Sequence, residues 1–189
     1  NNEEKRVAIV PDIARKLVND GHTVLIEKDA GISSFFSNEA YIEAGAEISS
    51  SDDIILKSDI LLVVNLPSDE ILSRQKKGSN IIGLLNPYDN QKSFDHFKNR
   101  SLNAFSMELV PRITRAQSMD VLSSQANLSG YRAIITATSL YSKSMAMMMT
   151  AAGTVAPAKV FVMGVGVAGL QAIATAKRLG AVVSATDVR

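Results

Sequence analysis

The sequence predicts an α/β protein of two parallel-sheet domains joined by a long helical connection, the second domain cut short. Two observations predict the first domain. From Val7 to Leu109, apolar runs of about five residues alternate with helix-patterned segments. Those runs are apolar throughout rather than alternating, as befits strands of a parallel sheet covered on both faces. A third observation predicts the second: near the end of the chain an apolar strand enters a glycine-rich turn that opens a helix.

In order, Val7-Ala8-Ile9-Val10 has the pattern of a buried strand, and Pro11-Asp12 begins a helix that runs through Leu17 and Val18 and stops at Asp20-Gly21. Thr23–Glu27 is the next strand, and Lys28-Asp29-Ala30-Gly31 a turn. Asn38 suits the N-cap of a short helix closed by Gly45. Strands follow at Asp59–Asn65, Asn80–Leu85 and Leu102–Leu109, separated by helices over Ser68–Lys77 and Gln91–Asn99. From Met119 to about Met149 the pattern is helical, broken near Gly130 and without a strand signal, and it ends in Met145, Met147, Met148 and Met149. Adaptable core packing at the junction suits those methionines. Ala151–Pro157 is a loop into the strand at Val160. The expected layout is a first α/β domain over residues 1–122, a helical connection over 123–150, and an incomplete nucleotide-fold unit over 151–189.

Composition sets the class. With 46% apolar and 21% charged residues and a net charge of +1, the chain is an ordinary globular protein with no basic tract suited to nucleic acid. No cysteine is present, which excludes disulfides and thiolate metal sites. The opening Asn1-Asn2-Glu3-Glu4-Lys5-Arg6 is polar and unlike a signal peptide, and the longest uncharged stretch, Ser144–Ala158, is too short to span a bilayer. No direct membrane insertion and no metal are expected.

The chemistry gathers between Val160 and Arg189. Val160–Met163 is a strand; Gly164-Val165-Gly166-Val167-Ala168-Gly169 is a GxGxxG turn; a helix runs from Leu170 to Leu179; and Ala181–Thr186 is a second strand ending at Asp187. That order is the dinucleotide-binding fingerprint of a Rossmann-like fold. Gly164 allows the turn, Gly166 lets a pyrophosphate approach the backbone, and Gly169 lets helix and strand lie close. The helix N-terminus suits the phosphates. Asp187 would accept the adenosine ribose hydroxyls and repel a 2′-phosphate, favouring NAD(H); the neighbouring Val188 and Arg189 complete the pocket edge, Arg189 weakening that preference slightly. Lys177, near the middle of the helix's apolar face, is expected to snorkel. A full nucleotide fold has two such halves, so the natural polypeptide is expected to be longer and this piece alone to bind NADH poorly.

The stretch Pro111–Ala133, together with Met147–Thr154 and the fingerprint through Arg189, closely resembles the NAD(H)-binding domain of proton-translocating NAD(P) transhydrogenases; the similarity is looser before Phe105. The resemblance implies hydride transfer between NAD(H) here and NADP(H) on a partner domain, beside a membrane domain that moves protons. It implies homodimers, placed on the cytoplasmic face of a bacterial inner membrane or the matrix face in mitochondria. It also implies roles: Arg112, Asp120 and Ser123 orient the nicotinamide carboxamide, and Gln117 reaches toward the ribose of the partner's NADP. Such chemistry needs close approach and orientation rather than an acid, a base or a metal.

Alanine dehydrogenases share the architecture and resemble the opening Lys5–Pro11, where the arginine corresponding to Arg6 holds a substrate carboxylate. They carry a lysine and a histidine where this chain has Asn65 and Asn86, and asparagine supplies no titrating group. Arg6 is therefore expected to be structural, and His22 and His96 to be surface residues. A non-catalytic scaffold is the third reading, opposed by the intact fingerprint and the Arg112/Gln117/Asp120 set.

Overall fold

The computed structural model describes residues 4–189; the first three residues of the polar opening lie outside them. The chain divides after Pro111 into two compact units.

The first unit begins with α1 (Pro11–Asn19), started by a proline at its first helical position. Strand β1 (Leu25–Glu27) pairs in parallel with β2 (Glu47–Ser49), and between them α2 (Asn38–Glu43) is capped by the Ser37 hydroxyl, so Ser37 rather than Asn38 is the N-cap. Ala14, Val24, Ile26 and Tyr41 form the core of this half. Helix α3 (Ser51–Lys57) then leads to a three-stranded parallel sheet, β3 (Ile60–Asn65), β4 (Asn80–Leu84) and β5 (Asn103–Ser106), in the order β3-β4-β5. Helices α4 (Asp69–Arg74) and α5 (Phe94–Arg100) connect the strands, and Leu61, Leu72, Ile81, Leu85 and Phe97 are buried among them. The parallel sheets and short α-connections are those the sequence predicts.

Val7–Val10 is not a strand. Side chains take carbonyls of this segment that a ladder would use: the Tyr41 hydroxyl donates to Ile9 O at 2.8 Å, and the Ser34 hydroxyl to Lys5 O at 2.5 Å. Strand β2 and helix α3 were not expected; their signal is Ser50 followed three residues later by Asp53, whose N–H donates to the Ser50 hydroxyl at 3.1 Å.

The second unit opens with a 3₁₀ turn (Thr114–Met119) and α6 (Val121–Leu140). Helix α6 runs unbroken through Gly130, against the expected interruption, because that glycine serves packing. A Cβ there would lie 2.0 Å from the carbonyl oxygen of Ala168. The expected loop before Val160 contains an antiparallel hairpin, β6 (Met148–Thr150) with β7 (Gly153–Val155). Its ladder residues are all exposed, so of the four methionines only Met145 packs in the core, while Met147, Met148 and Met149 are exposed. Strand β8 (Lys159–Met163), α7 (Val167–Arg178) and β9 (Val182–Thr186) form a βαβ unit with β8 and β9 parallel. Ile134 of α6 joins Ala172 and Ala176 of α7 in the core, and Lys177 is exposed.

Candidate functional site

The glycine turn sits between β8 and α7. Gly164 donates to Thr186 O at 2.8 Å, which ties the turn to the end of β9, and its φ of 93° is one that a side chain resists. Gly166 is the N-cap of α7; having no side chain, it leaves the helix end without a side-chain cap. The first intrahelical bond is Leu170 N–H to Gly166 O, at 2.8 Å, so the preceding turn of N–H groups has no intrahelical acceptor. A Cβ at Gly166 would meet nothing within 4 Å, whereas one at Gly169 would lie 1.9 Å from Gly164 O. The two glycines thus do different things: Gly169 closes the turn on itself, and Gly166 keeps the space above it open.

Asp187 follows β9. One carboxylate oxygen accepts the Val165 N–H at 2.5 Å and the other the Arg189 N–H at 3.0 Å. Those backbone donors, Val165 first, hold its carboxyl below the usual carboxylate range. The acid and the glycine turn are therefore one hydrogen-bonded piece. Val188 and Arg189 are exposed beside it.

Helix α6 supplies a wall. An open groove of about 350 Å³ is lined by Gly164, Gly166 and Gly169 on one side and by Ser129, Gly130 and Ala133 on the other. That volume falls within the range of small-molecule clefts. An open glycine cradle, an uncapped helix N-terminus and a prealigned carboxylate fit the pyrophosphate and ribose of a dinucleotide. The α6 wall went unread in the sequence; its signal was Gly130, which stands in a helix interior where only a packing reason retains a glycine.

At the head of α6, Asp120 is the N-cap. Its carboxylate accepts the Ser123 N–H at 2.9 Å and the Ser123 hydroxyl at 2.7 Å. Arg112 donates through Nη2 to the same hydroxyl at 3.0 Å, with Nε 3.6 Å from the Asp120 carboxylate. The Ser123 hydroxyl, then its N–H, then the Arg112 charge keep the Asp120 carboxyl ionised to lower pH than usual. Three of the four residues singled out in the loop thus form one cluster. The fourth, Gln117, lies exposed on the 3₁₀ turn, where its carbonyl accepts the Asp120 N–H at 3.3 Å.

In the first unit, Glu4 occupies Arg6: its carboxylate accepts Arg6 Nε at 2.8 Å and Nη2 at 2.7 Å, and Asn65 Nδ2 at 2.7 Å. The Arg6 guanidinium holds the Glu4 carboxyl down at about 2. Asn86 adopts a left-handed backbone, donating its N–H to Glu108 and its amide to Asp89 at 2.7 Å. His22 is exposed, and His96 lies 3.8 Å from Asp69 on the polar side of α5.

Comparison with known proteins decides the family. Residues 1–129 match the alanine dehydrogenase/PNT N-terminal domain, and residues 133–189 the alanine dehydrogenase/PNT C-terminal domain. The chain belongs to the alanine dehydrogenase/PNT family. Within that family, it is 49% identical to the first of the polypeptides that make up the NAD(P) transhydrogenase subunit alpha of Rickettsia prowazekii, over 98% of this chain and 50% of that one. An alanine dehydrogenase of Staphylococcus haemolyticus is 30% identical over 99% of this chain and 50% of its own length. Among solved structures, a transhydrogenase from Sinorhizobium meliloti superposes with a TM-score of 0.97 at 50% identity, covering 100% of this chain and 54% of that one. The chain thus spans about half the length of these curated relatives. No helix among the described residues is long and apolar enough to cross a membrane.

Proposed function

We propose that this chain is the NAD(H)-binding component of a proton-translocating NAD(P) transhydrogenase and takes part in direct hydride transfer to an NADP held by a partner domain. The observation that carries the reading is the Arg112–Asp120–Ser123 cluster at the head of a helix whose middle packs on the glycine turn. Bound NADH supplies the hydride. The glycine turn and the N-terminus of α7 take the pyrophosphate, and Asp187 takes the adenosine ribose, disfavouring a 2′-phosphate. Arg112, Asp120 and Ser123 hold the carboxamide, fixing which face of the ring is presented. Gln117, exposed on the 3₁₀ turn, reaches toward the partner's dinucleotide. No residue here has to exchange a proton with the substrate.

In this reading the first unit is an α/β domain of architectural role, the second carries the cofactor, and the whole works as a homodimer. It docks with an NADP-binding domain and a membrane domain, on the cytoplasmic face of a bacterial inner membrane or the matrix face in mitochondria. The names of the more similar relatives support it, as does Arg6: its guanidinium is engaged by Glu4, which disfavours the carboxylate-holding role an alanine dehydrogenase would give it.

The test uses the complete parent protein, NADH and a transhydrogenase NADP-binding domain loaded with NADP, and follows transfer by fluorescence. Transfer that collapses in Gln117→Asn is the expected result. NADH binding without transfer, combined with pyruvate reduction in the presence of ammonium, would replace the proposal with the dehydrogenase reading.

A further inference from the structure

Gly130 lies at the centre of the 20-residue helix α6, where glycine is the least favourable helix residue short of proline. Its backbone rests on the first turn of α7: an added Cβ would lie 2.0 Å from Ala168 O, 2.8 Å from Ala168 C and 3.0 Å from Ala168 Cα. All three are backbone atoms, so no side-chain movement relieves the clash. Ala168 directly precedes Gly169 and follows the Gly166 N-cap, so the contact falls on the phosphate-binding turn itself. Two turns earlier on α6, about 10 Å along its axis, stands the Ser123 hydroxyl that gathers Arg112 and Asp120. A second tie, Asn127 Nδ2 to Gln171 Oε1 at 3.4 Å, crosses the same pair of helices between those levels.

Helix α6 is therefore a strut with the carboxamide cluster at its head and the glycine turn against its middle. We propose that Gly130 is a positioning residue that sets the distance between these two halves of the site, so that a dinucleotide anchored at the turn presents its nicotinamide at the Arg112–Asp120–Ser123 cluster. This rests on the dinucleotide reading given above and goes beyond it by assigning the spacing to one residue that touches neither half of the ligand through a side chain. In Gly130→Ala, α6 must move off α7, and the cluster moves with it. The turn, Asp187 and the N-terminus of α7 belong to the βαβ unit and stay.

The two halves of the ligand can be probed separately. In the complete parent protein, titrate Gly130→Ala with ADP-ribose, which lacks the nicotinamide ring, and with NADH, and measure hydride transfer at saturating NADH. The expected result is ADP-ribose affinity within about threefold of wild type, NADH affinity reduced about tenfold, and a transfer rate reduced further. Ile134→Val, one turn along the same seam, is the packing control and should lower stability while leaving the ratio of the two affinities unchanged. Equal losses of ADP-ribose and NADH affinity in Gly130→Ala would overturn the proposal, as would wild-type behaviour in all three measurements. If Gly130→Ala does not fold, Asn127→Ala removes the second tie without adding bulk. It should shift the affinity ratio in the same direction by about threefold, and an unchanged ratio overturns the proposal. A wild-type protein that binds neither ligand refutes the dinucleotide reading instead, so the two failures are distinguishable.

Discussion

The three glycines of the turn fail in different ways when a methyl group is added, and the pattern separates the fold's needs from the ligand's. In Gly169→Ala the new Cβ would stand 1.9 Å from Gly164 O, where ordinary contact begins at 3.4 Å. A gap of roughly 1.5 Å has to open between α7 and the turn, and overpacking of this kind costs about 1–3 kcal/mol. If that cost falls on the binding-competent geometry, NADH affinity drops by about 5- to 150-fold, and the melting temperature of the ligand-free protein falls by several degrees. In Gly166→Ala nothing lies within 4 Å of the added carbon and φ is −72°. The fold then loses at most about 1 kcal/mol, the penalty for alanine at an N-cap. NADH affinity should nevertheless fall by tenfold or more, because the methyl group projects into the space the pyrophosphate needs. Thermal melts without ligand and calorimetric NADH titrations of the complete parent protein read the two effects. A Gly166→Ala protein that binds NADH as tightly as wild type would refute the placement of the pyrophosphate over this turn, whatever Gly169→Ala does.

Other outcomes follow from the same geometry. Asp120→Asn keeps a competent N-cap but removes the charge beside Arg112, whereas Asp120→Ala removes both; hydride transfer should fall about tenfold or more in each, and thermal stability only in the alanine variant. Asp187→Asn should reduce the preference for NADH over NADPH by about tenfold, measured by competitive titration, because it removes the charge that repels a 2′-phosphate. The Glu4 carboxyl goes from an ordinary 4.5 down to about 2 in the folded protein, so its contribution to stability is full above pH 4.5 and is lost as the pH falls toward 2. Urea titrations between those limits should show a shallower loss of stability in Glu4→Gln than in wild type.

Most of the fold was legible because its signals are local. The strands at Ile60, Asn80, Lys159 and Val182 are apolar runs bounded by turn residues, and the glycine turn announces α7 through the chemistry of its own six positions. What the sequence concealed depends on distant partners. Val7–Val10 has the composition of a strand, yet Tyr41 takes the Ile9 carbonyl from a position that no local pattern links to it. Gly130 looks like a helix breaker to any local rule, and its reason, the carbonyl of Ala168, arrives only when α7 is folded against α6. The hairpin at Met148–Val155 was missed for the opposite reason. Its ladder faces are all exposed, so it lacks the burial pattern that makes a strand visible.

The candidate site divides along the same line, and Arg6 shows what the sequence could argue only from an absence. Against an alanine dehydrogenase, sequence reasoning had two missing groups, a lysine replaced by Asn65 and a histidine replaced by Asn86. The structure adds a positive fact: the guanidinium fork of Arg6 holds the carboxylate of Glu4, and Asn65 donates to that same carboxylate. Lysine at position 65 would add a second cation there, while the asparagine amide adds one neutral donor to a carboxylate already paired with arginine. With its carboxyl held at about 2, Glu4 remains ionised at neutral pH and keeps its place against any small organic acid in solution. Admitting a substrate carboxylate to Arg6 would require Glu4 to leave and a charge-assisted bidentate pair to break, a cost that a substrate offering the same chemistry could at best return. The replacement of lysine by Asn65 and the capture of Arg6 by Glu4 are thus parts of one arrangement, in which the first unit has closed the place where its alanine dehydrogenase relatives would hold a substrate.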